Sequence, residues 1–220
     1  MSNNDSFIDE VTDEVRRDKL YAAFRKYGWI GVVAILAIVG GTAFQQWQQS
    51  REQARAQAFG DAVLDALDLG AADERMAALA DVPATGAQAG LLGLMLSTDP
   101  EADKAGALAA LDKVAADTTL APLYRDLAIL RRAIVAGADS PVADRRAALE
   151  GIAVAGRPYR VLAQEQLALL AIEEGQPDTA ITLLTALLTD QEASVGLRTR
   201  ASQLIVALGG TLPEAEAEAG

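Results

Sequence analysis

Between Lys26 and Arg51 lie 24 consecutive residues without a charge, with the apolar heart GWIGVVAILAIVGGTAF at 28–44. No other feature limits so sharply what this chain folds into. A helix rises about 1.5 Å per residue, so the stretch covers the hydrocarbon core of a bilayer, about 30 Å. Trp29 and Trp47 bracket it, about 27 Å apart along a helix, with Tyr27 beside the first. Amphipathic rings at both ends are what a bilayer interface selects. A buried core helix is usually shorter and lies within folded sequence. A cleaved signal peptide fits poorly, because the 26 residues before the stretch carry six acids and small-residue triplets occur only near 54–58, well past the apolar heart. The expectation is one transmembrane helix over residues 27–50.

Its direction follows from Lys and Arg near the two ends. Arg16, Arg17, Lys19, Arg25 and Lys26 precede the stretch, whereas only Arg51 and Arg55 follow closely. The reading is a cytoplasmic tail at 1–26 and an exported domain from residue 51. Within the tail, Phe7, Ile8, Val11, Val15, Leu20 and Phe24 recur at roughly helical spacing, with acids early and bases late. That polarity suits a helix dipole and a helical lead-in to the bilayer, solvated or resting on lipid. Ala37 and Gly41 form one small-xxx-small pair that would seat a partner helix, a weak signal.

The remaining sequence reads as helix throughout. Ala and Leu dominate, aromatics make up 5% of the chain, and no segment shows strand alternation. Helical stretches are expected to about residue 69, then near 73–81, 87–98, 102–116, 121–136, 142–154, 158–174, 177–189 and 194–208. The breaks carry Gly, Pro or Asp, as at Asp99-Pro100, Gly137 to Pro141 and Gly175 to Pro177. Short connections between helices of this length imply antiparallel pairs. The clearest pair is at 159–188, where Ala168 is followed at offsets of 7, 12 and 16 by Gly175, Ala180 and Leu184. These offsets resemble the tetratricopeptide repeat, a helix pair of about 34 residues. Small residues at Ala168 and Ala180 let two helices cross closely, and Gly175 ends the first in the left-handed conformation. Looser copies pair Gly93 with Ala105 and Ala109, and start again at Leu127-Ala128. Three degenerate pairs and a closing helix at 194–208 make a solenoid over 51–209, with 210–220 an acidic, disordered tail.

Chemistry is narrowed by what is missing. The chain has no Cys and no His, which excludes thiolate catalysis, disulfides, imidazole acid–base work and Cys- or His-based zinc. Residues 51–220 carry 14 basic and 25 acidic side chains with no basic run, so phosphate-driven nucleic-acid binding is not expected. Asp99, Glu101 and Asp103 alternate like the start of a calcium loop, but Lys104 and Ala110 stand where a Gly and a Glu are needed; an acid cluster opening the next helix explains them better. Glu173-Glu174 are helix neighbours and form no dyad. No enzyme, cofactor or metal is expected. With Ala128 and Ala168 as equivalent anchors, the first helices of the pairs would line a groove with Arg125, Ile129, Arg132, Glu165, Leu169 and Ile172, suited to a segment of another protein. Inert surface or core is an equal reading of some of these.

The order of features resembles a known family. The strings LYRDLAILRRA at 123–133, GRPYRVLAQEQLALLAIEEG at 156–175 and GLRTRASQLIVALG at 196–209, after the Gln-rich exit QQWQQSREQARAQA at 45–58, are similar to the ancillary SecYEG translocon subunit (YfgM-type) in its alphaproteobacterial form. The resemblance implies a bacterial inner-membrane protein with a periplasmic tetratricopeptide-like domain. It also implies an adaptor role in export and periplasmic folding, with the translocon and a membrane-anchored, prolyl-isomerase-like chaperone as partners. An assembly scaffold for another envelope complex is the alternative.

Overall fold

A computed structural model describes the backbone of residues 3–212, and the side chains of that range except 3–24, 27, 28, 31, 32 and 34. Every regular element among the described residues is helical. The chain divides into two units, 1–60 and 61–220.

The described residues of the first unit lie within α1, Asn3–Leu67. From Val33 to Ala58 every described side chain of α1 is exposed. Trp29 is 64% exposed, Leu36 64%, Ile38 67% and Trp47 52%; a soluble helix normally turns such residues onto a core. Among the described residues no helix is long and apolar enough to cross a membrane. The expected span at 27–50 lies only partly within them, and the Tyr27 side chain falls outside. So do the side chains of the amphipathic lead-in at 7–24, and residues 213–220 of the expected acidic tail.

The second unit takes in the end of α1 and eight further helices. They are α2 (Ala72–Ala80), α3 (Ala87–Leu96), α4 (Lys104–Ala116), α5 (Pro122–Ala136), α6 (Val142–Glu150), α7 (Arg160–Glu173), α8 (Pro177–Thr189) and α9 (Val195–Ala207). Their ends have local causes. Asp103 accepts from the Gly106 N–H at the start of α4 (2.9 Å), and Ser194 accepts from Leu197 at the start of α9 (3.2 Å), side-chain caps for donors a helix leaves unpaired. Pro122 and Pro177 occupy first helical positions, where no N–H is missed. Gly175, at φ +70°, closes α7: its N–H donates to Ile172 (3.0 Å), and that of Gln176 reaches back to Ala171 (2.8 Å). The same double bond closes α9 at Gly209 and Gly210. A Cβ on Gly175 meets nothing within 4 Å, so Gly175→Ala costs only the left-handed backbone, about 1–2 kcal/mol. Thermal melts of the two chains check this figure.

Packing follows the chain. From α2 onward consecutive helices touch, α3 also touches α5, and α5 also touches α7. Among the described residues, three buried clusters follow one another along the unit. Leu94, Leu111, Val114, Leu120 and Ala128 form the first. Leu130, Ala133, Leu149, Ile152, Ala163, Leu167 and Leu170 form the second. Ala168, Leu184, Leu187, Ala193, Leu197, Ala201 and Ile205 form the third. Two helices are shared. Helix α5 gives Ala128 to one cluster and Leu130 to the next, and α7 gives Leu167 to one and Ala168 to the next. Ala168, Ala180 and Leu184 are each fully buried.

Two sequence expectations about the pairs need correction. Ala105 and Ala109 are exposed; the inward stripe of α4 is Ala107, Leu111 and Val114. The Asp103 cap starts α4 after a seven-residue connection, against three residues between α7 and α8, so the register slips by two. Gly93 does sit at a close crossing, where a Cβ would overlap a Val114 methyl. The pairing also differs. Helix α4 packs more extensively on α5 than on α3, and α5 touches α6 less than it touches α4. The reason is that α6 stops at Glu150, short of the expected 154, where Ile152 turns back and is buried.

Candidate functional site

Polar links tie positions about one helix pair apart. Arg131 donates to the carbonyls of Leu94 (2.9 Å) and Ser97 (2.7 Å) at the end of α3, tying α5 to the end of that helix. Arg132 pairs with Asp112, and Arg157 with Asp126. Arg145, 5% exposed, makes a two-pronged pair with Glu173, and Arg146 pairs with Glu174. The two glutamates therefore both reach α6 and are spent on packing. Arg160 holds Asp190 and Glu192. Arg200 grips Glu165 with two bonds, 2.8 and 2.9 Å. Paired with carboxylates, Arg145, Arg160 and Arg200 hold their protons more tightly than a free guanidinium. Glu173 and Asp190 fall below the usual carboxylate range, chiefly through hydrogen bonds from Arg145 and Arg160. Among the described residues no group of three or more acids could hold a metal ion.

Two hollows flank α7. On one side a cavity of about 180 Å³ is lined by Ile134 of α5, Arg145 and Leu149 of α6, and Gln166, Leu169 and Glu173 of α7. On the other side an open hollow of about 580 Å³ lies between α7 and α9. Glu165, Gln166 and Leu169 form its α7 wall; Arg200, Gln203, Leu204 and Ala207 form its α9 wall. The spacings i, i+1, i+4 and i, i+3, i+4, i+7 put each set on one helix face. Leu169 is exposed and lines both hollows, as does Gln166.

Of the six residues expected in the groove, Leu169 is therefore open to a ligand, and Glu165 lines the larger hollow as a buried anion committed to Arg200. Ile129 packs against the second buried cluster. Arg125, Ile129, Arg132 and Ile172 line neither hollow; Arg132 is engaged by Asp112, and Ile172 is half-buried. Sequence reading missed Arg200, Gln203, Leu204 and Ala207, because it treated 194–208 purely as a closing helix, and it also missed Gln166 and Ile134. The i, i+3, i+4, i+7 spacing of Arg200, Gln203, Leu204 and Ala207 was the available signal.

One buried acid stands apart from the hollows. Asp126 is fully buried, one of its carboxylate oxygens has no partner, and its other oxygen takes the Arg157 bond. Burial raises its pKa, opposed by Arg157 and then Arg125. An acid whose pKa is raised by folding contributes stability that is present at low pH and is lost as pH rises through the folded-state value. The stability of the natural chain relative to Asp126→Asn should therefore increase as pH falls from 7 through the carboxylate range. Urea melts of both chains across that range check the sign. The Glu173 and Asp190 contributions run oppositely, lost as pH falls, and are common to both chains.

No family model matches the chain, and neither a curated protein nor a solved structure matches it.

Proposed function

We propose that the chain is a membrane-anchored protein-binding adaptor, with α1 crossing a bilayer and the helical array acting as a tetratricopeptide-like scaffold. The observation that carries this is the open hollow between α7 and α9, an apolar floor with polar walls on two helices linked by the Arg200–Glu165 pair. The anchor is supported by the uncharged stretch at 27–50 and by the large apolar side chains that α1 leaves exposed there. The one polar side chain near its centre, Thr42, donates back to the Val39 carbonyl (2.9 Å), as lipid requires. At the far end the Arg51 guanidinium lies 4.1 Å over the Trp47 ring, which suits a headgroup region. The repeat reading is supported by the shared buried clusters and by the left-handed stop at Gly175.

By its resemblance to the ancillary translocon subunits, the anchor has its N-terminus in the cytoplasm of a bacterial inner membrane. The array then faces the periplasm, beside the SecYEG translocon and a membrane-anchored, prolyl-isomerase-like chaperone. Purification in mild detergent with mass spectrometry tests the partners: translocon and chaperone subunits are expected. Recovery of a different envelope machine would replace this reading with the assembly scaffold. Protease added to spheroplasts tests the topology, and loss of residues 51–220 is the expected result.

A further inference from the structure

Charge is unevenly divided along the array. Residues 61–118 carry eleven acids and three bases, whereas residues 119–212 carry ten and nine. Among the described residues no acid from Asp61 to Asp103 takes part in an ion pair. The pairs that reach this half use Lys104 and Asp112, and both run to α5 or the turn after it. A groove of about 660 Å³ opens in the same half between α2 and α4, which each pack on α3. Met76, Ala77 and Ala80 line it from α2, Gly106 and Ala110 from α4, and Leu96 from α3. The α2 wall runs from Ala72 to Ala80, about 12 Å along the helix. Most of these side chains are a methyl or less, which leaves the space between the two helices open.

The lining selects its occupant. Among the described residues its charged members are Asp73 and Asp103, one on each wall, with no base beside them. A smaller hollow of about 200 Å³ shares Ala80, Leu96 and Ala110 with the groove, and there one base, Lys113, is offset by Asp117. Charge complementarity therefore favours a cationic occupant. One oxygen of Asp103 already accepts from the Gly106 N–H (2.9 Å), so the apolar walls have little hydrogen bonding to offer. An extended chain laid between them would bury N–H and C=O groups without partners, at a cost. A helix has satisfied its own, and walls of small residues let it approach closely. A second copy of this chain, at net charge −12, and an anionic lipid surface both bring the wrong sign.

We propose that the groove between α2 and α4 docks a basic amphipathic helix of another protein. The apolar stripe of that helix lies on Met76, Leu96 and the alanines, and Lys or Arg residues beside the stripe face Asp73 and Asp103. This surface is separate from the hollow between α7 and α9 and does not depend on which partners that hollow serves.

The test is fluorescence anisotropy on the full chain in phosphatidylcholine nanodiscs, with empty nanodiscs subtracted. Three labelled peptides are compared: a stapled three-turn helix with a Leu/Ala stripe flanked by Lys, the same helix with Glu in place of Lys, and an unstapled Lys peptide broken by two central prolines. The first is expected to bind, more weakly as salt rises, and the other two at least tenfold more weakly. Asp73→Asn with Asp103→Asn removes both charges while Asn keeps the α4 cap; it is expected to weaken binding about fivefold and to flatten the salt dependence. Ala77→Trp, at an exposed position of the α2 wall, fills the groove and is expected to abolish binding. Unchanged melting curves establish that the variants fold. Absence of binding by the Lys helix would overturn the proposal, as would equal binding of the Glu helix or of the proline peptide. Full affinity in a folded Ala77→Trp chain, or in the double Asn variant, would overturn it as well.

Discussion

Ala168→Trp is expected to unfold the C-terminal half of the array at temperatures where the natural chain is intact. Ala168 has no exposed surface and belongs to the cluster that joins α7 to α8 and α9. Leu184 and Leu187 of α8 and Ala201 of α9 are buried in the same cluster, so no neighbour is free to move toward solvent. An indole there forces α7 from α8 rather than filling a void. Overpacking of one or two methylenes already costs 1–3 kcal/mol; a whole indole should cost at least about 3 kcal/mol. For a domain of this size that lowers the melting temperature by about 5–10 °C or more. Circular dichroism melts measure it, and an unchanged midpoint would remove Ala168 from the crossing. Ala168→Ser, nearly the same size, separates volume from position and should cost far less.

Leu111→Ala acts at the other end by the opposite defect. Leu111 has no exposed surface and sits on α4 between α3 and α5. Removing its isobutyl group leaves a cavity among Leu94, Val114, Leu120 and Ala128, and such changes cost about 2–5 kcal/mol. The location of the loss is as informative as its size. In an array whose elements contact only near neighbours, damage stays near its site. Amide exchange should therefore rise first in α3, α4 and α5, while α8 and α9 keep their protection. Uniform loss of protection would mean that the unit behaves as one cooperative core.

The groove between α2 and α4 sits close to the region tested by Leu111→Ala, since Ala110 lines it, and far in sequence from Ala168. Binding of the basic helix should accordingly fall with Leu111→Ala and survive Ala168→Trp at temperatures where α2–α5 remain folded. This contrast ties the stability of one end of the array to the proposed docking surface.

Helix identity was legible because each signal was local. The Pro122, Pro177, Gly175 and Ser194 positions are set by backbone sterics and by caps within a few residues. The elements they bound agree with the sequence reading to within a residue or two, except at α6. That helix ends early because Ile152 finds a buried site between α5 and α7, a gain that no local propensity encodes. Register in the α3–α4 pair failed for a related reason. Ala105 and Ala109 have the right size and spacing, but the Asp103 cap turns Ala107 and Leu111 inward instead.

The candidate site was legible in one residue of its floor, Leu169, and in Glu165 of its wall. Helical spacing reports which side chains share a face, so α7 was readable from its own sequence. It does not report which other helix stands opposite. Gln203 and Leu204 lie 37 and 35 residues beyond Gln166 and Leu169, and only packing brings those two faces together.

By itself the sequence determined an all-helical chain, an uncharged stretch long enough for a bilayer, and the close-packed alanines of the α7–α8 crossing. Composition and short-range sterics suffice for each. The tertiary structure decided that Glu165 is spoken for by Arg200, that α4 belongs as much to α5 as to α3, and that α2 and α4 face one another across an open groove. Those outcomes depend on which surfaces are buried against which. That is a property of the assembled helices, settled by competition among contacts far apart in the chain.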